Sequence, residues 1–201
     1  MKDYFHFNNM NLPHGVMFHH FHHNSERPYA QGSITSNQLR NIIKYIGPEH
    51  IIPADIWLER AIKGKLSKRD ICLTFDDSLK CQKEIAYPVL KEFNIKAFWF
   101  VFSSVFDGHI FRLEIYRYFY NTYFDDFEEF FKIFKDYMLR MSSENMSSKK
   151  FIFLESNYLK EFKHYSDIER EYRYYRDKVL NRTHFEKIMD KILYDHGVEI
   201  K

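Results

Sequence analysis

The sequence predicts an α/β fold followed by a helical annex, and three observations carry that reading. Two apolar runs, Ile71 to Phe75 and Ile95 to Phe102, stand on either side of a helical pattern bearing Ile85, Val89, Leu90 and Phe93. Strand, helix and strand at this spacing make a βαβ unit, whose strands run parallel. After Asp107 and Gly108 the strand signals thin out, and aromatic residues recur at helical spacing instead. A chain of 201 residues can bury one sizeable core with such an extension. We therefore expect residues 1–108 to form the α/β part and residues 109–201 the annex.

Each element has a local cause. Pro13 and Gly15 precede a short apolar run ending at Phe18, expected to be a first buried strand, and it leads into His19, His20, Phe21, His22 and His23. Thr35 with Gln38 three residues on is a capping-box signature, after which Leu39, Ile42, Ile43 and Ile46 share one helical face. Gly47 and Pro48 stop that helix. Ile51 and Ile52 suggest a brief strand, and Ala54 to Lys63 a helix ended by Gly64. Pro88 is expected to kink the helix after Phe75 or to start its second part. The run from Ile95 is apolar apart from Lys96, which predicts a strand covered on both faces.

In the annex, Phe127, Phe130, Phe131, Phe134 and Met138 line one helical face, expected to be core. Ser142 to Lys150 is a polar break. Ile168, Tyr172, Tyr175 and Val179 mark a further helix, with Tyr172 to Arg176 expected to be a solvated face. Thr183 with Glu186 is expected to cap a last helix carrying Phe185, Ile188, Met189 and Ile192.

Composition excludes several classes. Hydrophobic residues at 45% and charged residues at 29% fit a globular chain rather than a disordered one. The formal charge is +2 and bases are scattered among acids, so no concentrated field exists to neutralise the phosphates of nucleic acid. No stretch is long and apolar enough to span a membrane, and residues 1–13 hold no continuous apolar segment of the secretory kind, so the chain reads as cytoplasmic. Cys72 and Cys81 are too few for a disulfide framework and are expected to be reduced packing residues.

The apolar run from Ile71 ends in Asp76 and Asp77, followed by Ser78. In an α/β protein the carboxyl end of a parallel strand opens into the crevice where ligands bind. Adjacent residues on a regular strand point to opposite faces, so the two carboxylates converge only if the backbone turns there, which Ser78 and the helix start permit. One acid could then hold a divalent metal while the other takes a proton from a bound water. The plain alternative is that Asp77 or Ser78 caps the following helix and Asp76 is a surface acid. His19 and His23, four residues apart, would stand roughly 13 Å apart on a straight strand, too far to share an ion. The cluster then reads as structural or solvent-exposed, with an alternative in which His19 faces the interior and His20, His22 and His23 lie at the strand end or in a loop. An aspartyl-phosphate chemistry needs its two acids separated by one residue, and these are contiguous.

Leu73-Thr74-Phe75-Asp76-Asp77, then Ala86-Tyr87-Pro88-Val89-Leu90, then Ile95 to Val101, resembles the first motif of the polysaccharide deacetylases with a NodB homology domain. Val16 to His19 and the helix from Gln38 to Ile46 are similar to the first strand and helix of the same proteins, so the resemblance covers roughly residues 15–105. It implies a partial (β/α) barrel of NodB type and metal-dependent removal of an acetyl group from a sugar. It further implies Asp76 as catalytic base and Asp77 as ligand of a divalent metal, zinc before cobalt or nickel. The implied partner is an acetylated saccharide or glycan precursor.

Two departures from the family pattern stand out. Ser78 replaces the glycine usual after the pair, which is tolerable where the backbone is not left-handed. The family completes its metal site with a later His-x-x-x-His, whereas after Val105 this chain has His109, His164, His184 and His196, no two at ligand spacing. The resemblance therefore implies either the amino-terminal portion of a larger enzyme or a catalytically empty remnant serving as a carbohydrate-binding or structural module.

Overall fold

The computed structural model describes residues 12–23, 29–30, 32–141 and 157–200. The chain forms two compact units that divide between Ile110 and Phe111. The first is mixed helix and sheet; the second is helical.

The sheet of the first unit has three parallel strands, β1 (His14–Phe18), β2 (Ile71–Phe75) and β3 (Phe98–Trp99), in the order β1-β2-β3. His14 lies opposite Ile71 and Phe18 opposite Phe75, while Thr74 and Phe75 face Phe98 and Trp99. The central strand is the buried one, with Ile71, Cys72, Leu73 and Phe75 all in the core. Its β-branched and apolar residues suit a position flanked on both sides. Both cysteines are buried.

Three helices accompany the sheet. In α1 (Ser36–Ile46) both capping-box bonds form, with the Gln38 amide N–H donating to the Thr35 hydroxyl at 3.2 Å and the Thr35 N–H to the Gln38 side-chain oxygen at 2.7 Å. Leu39, Ile43 and Ile46 are its buried face. Gly47, at φ 88°, makes the turn out of the helix that a residue with a Cβ would resist. The second helix, α2 (Ala54–Ile62), ends beside Gly64. The helix after β2 opens with a π turn, Gln82–Ala86, and continues as α3 (Tyr87–Glu92) with Pro88 in its first turn. Proline has no N–H to give the preceding turn, and the wider π turn accommodates it.

A buried acid anchors the start of β2. The Asp70 carboxylate accepts the Ser67 N–H at 2.9 Å, the Ser67 hydroxyl at 2.8 Å and the Arg60 guanidinium at 3.0 Å, and it is 6% exposed. Burial pushes its pKa up, but the Ser67 bonds and the Arg60 charge outweigh that and hold it below the usual carboxylate range.

Both outer strands differ from expectation. In β1 only Phe18 is buried and Met17 is 59% exposed: among the described residues the strand lies at the sheet edge, and its exposure alternates along the chain instead of the strand being covered throughout. From Ile95 to Phe102 only Phe98 and Trp99 are in strand, and Trp99, Phe100 and Val101 are exposed. β2 leaves the sheet at Phe75, so after the 2.8 Å bond from the Phe100 N–H to the Phe75 carbonyl the segment has nothing further to pair with on that side. Ile51 makes a single bridge to Ile71 rather than a strand.

The second unit holds α4 (Arg112–Tyr123), α5 (Phe127–Met141), α6 (Asp167–Tyr174) and α7 (Arg182–Asp195), with a π turn, Tyr175–Val179, continuing α6. Phe130, Phe131, Phe134 and Met138 of α5 are buried as their spacing predicts. Tyr172 and Tyr175 are buried as well, which overturns the solvated-face expectation for residues 172–176. Tyr172 meets the Phe134 ring edge-on with centroids 5.0 Å apart, so its ring belongs to an aromatic core. Burial raises its phenol pKa far out of the ordinary range. Arg176 pairs with Asp177 at 2.6 Å.

The last helix begins earlier than expected. Asn181, not Thr183, is its cap, accepting the His184 N–H at 2.9 Å. Asparagine is a strong N-cap residue, and using it adds two residues to the helix start. Phe185, Ile188, Met189 and Ile192 are buried. The polar segment Ser142 to Lys150 lies outside the described residues.

Candidate active site

The aspartate pair sits where the ladder between β1 and β2 runs out. The last link is the Asp76 N–H donating to the Phe18 carbonyl at 3.2 Å. The chain then turns through two consecutive left-handed residues, Asp77 at φ 66° and Ser78 at φ 48°. Such a turn breaks the strand alternation that would have sent the two carboxylates to opposite faces. Aspartate tolerates this conformation better than most residues. Serine tolerates it less well, so the condition under which it replaces the family's glycine without strain is not met at position 78.

The turn delivers Asp77 to His19. The His19 Nε2–H donates to Asp77 Oδ2 at 2.7 Å, across 58 positions of sequence, with side chains 41% and 23% exposed respectively. A carboxylate can only accept, so the bond fixes the proton on Nε2 and leaves Nδ1 with a lone pair while the ring is neutral. The plain alternative of a helix cap is not what Asp77 does: no side-chain cap bond is made at the start of the following helix. Asp76 is half-buried, and among the described residues its carboxylate has no hydrogen-bond partner. Ser78 is exposed, with its hydroxyl in a long contact of 3.4 Å to the Phe100 carbonyl.

The neighbouring histidines divide by role. His20 lies against His19 with ring centroids 4.1 Å apart. The His22 Nδ1–H donates to the Ser33 hydroxyl at 2.8 Å, since that hydroxyl gives its own proton to the Ala30 carbonyl at 2.6 Å. His22 thereby has a structural role, braced on the Ser33 hydroxyl that in turn bonds Ala30. His23 is exposed.

One residue of this site escapes a motif search. Gln82, fully buried, donates through its side-chain nitrogen to the carbonyl oxygens of His19 at 2.8 Å and Asp76 at 2.6 Å. The signal was its position, because 82, 85, 86 and 89 make one inward helical face on which a glutamine is out of place.

The donor set suits a metal only in part. Asp77 is a half-buried carboxylate with one oxygen held by His19 and the other left over, which fits a ligand braced from behind. A catalytic zinc ordinarily takes three protein ligands, and these residues by themselves stop short of that number.

No curated protein and no solved structure matches the chain. A family model described as polysaccharide deacetylase matches residues 63–149, a stretch that includes Asp76, Asp77, Ser78 and Gln82 but starts after His19. Fewer than half of the 201 residues are matched, and across them the resemblance of this chain to the polysaccharide deacetylases, read first from its residues, is borne out.

Proposed function

We propose that this chain is a polysaccharide deacetylase-like protein whose parallel sheet opens a NodB-type (β/α) barrel. Its aspartate pair serves hydrolysis of an acetyl group from a sugar or glycan precursor in the cytoplasm. The observation that carries the reading is the His19–Asp77 bond beside the Asp76 carboxylate, which has no hydrogen-bond partner among the described residues, at the carboxyl ends of two parallel strands, with both aspartates inside the matched family segment. Asp76 is the base that takes the proton of the attacking water. Asp77, its Oδ2 steadied by His19, is the residue that would hold a divalent ion, zinc before cobalt or nickel. Such an ion would lower the pKa of the water and polarise the acetyl carbonyl.

A second reading has its own support. The shortage of ligands, together with the lack of a His-x-x-x-His after Val105, fits a catalytically empty module that binds carbohydrate or serves structurally. Calorimetric titration with Zn²⁺, run beside acetate release from N-acetylated and O-acetylated oligosaccharides, separates the two. The deacetylase reading expects one-to-one binding, weak in the isolated chain, that disappears in Asp77→Ala, and any turnover to disappear in Asp76→Asn. Binding that is absent, or the same in Asp77→Ala, favours the empty module.

A further inference from the structure

The strands β1 and β2 part company after Phe18 and Phe75, and the last bond between them is the 3.2 Å link to the Asp76 N–H. Beyond it each strand presents a carbonyl, that of His19 and that of Asp76, which ladder pairing no longer satisfies. Gln82 bridges both from the first turn of the following helix. Its amide orientation is not a free choice. Exchanging oxygen for nitrogen would bring an acceptor against two acceptors, so the nitrogen must face the carbonyls. The consequence is that Gln82 Oε1 is buried and, among the described residues, accepts no hydrogen bond.

We propose that Gln82 is the positioning residue of this site, a two-proton clamp that sets the separation of the two strand ends and so holds the His19 imidazole against the Asp77 carboxylate. A buried amide with an unsatisfied acceptor is a poor choice for filling a helix face; leucine or methionine would fill it with no orphaned oxygen. What the amide alone provides is two donors on one rigid plane, aimed at two carbonyls 57 residues apart in sequence (19 and 76). The side chains that follow those carbonyls inherit the spacing: His19 carries its own ring, and Asp77 comes one residue after Asp76. The usefulness of this to catalysis rests on the deacetylase reading, whereas the clamp itself does not.

Histidine ring nitrogen correlations by NMR, recorded on the full chain without metal or substrate, test the clamp directly. His19→Gln identifies the His19 signals. In the native chain we expect His19 fixed in its Nε2–H tautomer and His22 in its Nδ1–H tautomer. In Gln82→Met, which keeps the length and loses both donors, His19 should relax to the averaged tautomers of a free imidazole, while His22, braced by Ser33, stays as it was. An unchanged His19 in a folded Gln82→Met overturns the proposal. Should that variant fail to fold, the native protein decides: the two Gln82 side-chain amide protons should exchange with solvent at least tenfold more slowly than those of the exposed Asn37, and equal rates overturn the clamp. Failure here leaves the zinc titration untouched, so the two readings fall separately.

Discussion

Two left-handed residues in succession are unusual outside glycine, and at Asp77 and Ser78 they do the work of turning a strand end into a site. Each such conformation costs a non-glycine residue about 1 kcal/mol. Ser78→Gly should therefore stabilise the protein by about 1 kcal/mol, seen as a melting temperature about 3 °C higher. The 3.4 Å contact of the Ser78 hydroxyl is too long to offset that gain. An unchanged or lower melting temperature would show that serine is favoured here for a reason other than backbone geometry. His19 offers a second check. As a brace on a metal-holding carboxylate, its loss in His19→Ala should weaken Zn²⁺ binding about 10-fold to 100-fold, and Asp77→Ala should remove it. Equal effects from both variants would make His19 a ligand in its own right. At this scale the sequence disclosed the identity of the acids but not their turn, since the usual sign of left-handed backbone, glycine, is missing. Gln82 was hidden for a different reason: its partners are backbone carbonyls, which leave no mark in a side-chain pattern.

Among the elements, β2 is the one on which the site depends, and Asp70 fixes where it begins. Asp70 has a folded-state pKa below its unfolded one, so its contribution to stability is present at neutral pH and is lost as the pH falls through the lower folded value. Asp70→Asn should cost about 1–3 kcal/mol at pH 7, from weakened bonds to Ser67 and Arg60 in a buried setting. The difference between native and variant should shrink when urea melts are repeated near pH 3. A gap that stays constant across that range would mean that the carboxylate charge plays no part. Helices with strong periodicity were legible, as α1 and α5 show, because a buried stripe is written directly into the spacing. Edge strands were not. The run from Ile95 looked like a two-sided strand because apolar content does not say how many neighbours a strand has, and only two of its residues found one. The cap of α7 was misplaced for a related reason, Asn181 and Thr183 being two competent caps within three residues.

For the molecule as a whole, the high aromatic content divides between two cores that are built differently. The first unit buries mainly aliphatic residues around a short sheet, Leu73, Leu39 and Ile43 among them, together with the rings of Phe18, Phe21 and Phe75. The second gathers rings, among them Phe130, Phe134, Tyr172 and Phe185. Phe134→Ala should cost about 3–5 kcal/mol, because a ring removed from among other rings leaves a cavity that rigid neighbours cannot close. A cost under 1 kcal/mol by denaturant melts would show that the cluster is loosely packed. In the second unit the buried Tyr116 and the half-buried Arg112 both reach the half-buried Asp190 at 2.6 Å, and burial raises the Tyr116 phenol out of its usual range, so the hydroxyl stays protonated and donating. The composition made a globular chain legible, and the order of strand, helix and strand made a parallel sheet legible; the pairing of residue 19 with residue 77 was not, because only the fold brings them together. The claim on which the functional account rests is that Asp77 holds a divalent ion with Asp76 facing the water beside it. Crystals soaked in Zn²⁺ and measured at the zinc absorption edge test it most directly. The account predicts an anomalous peak at the Asp77 carboxylate with Asp76 within one water of it, and a peak elsewhere, with none at Asp77, would contradict it.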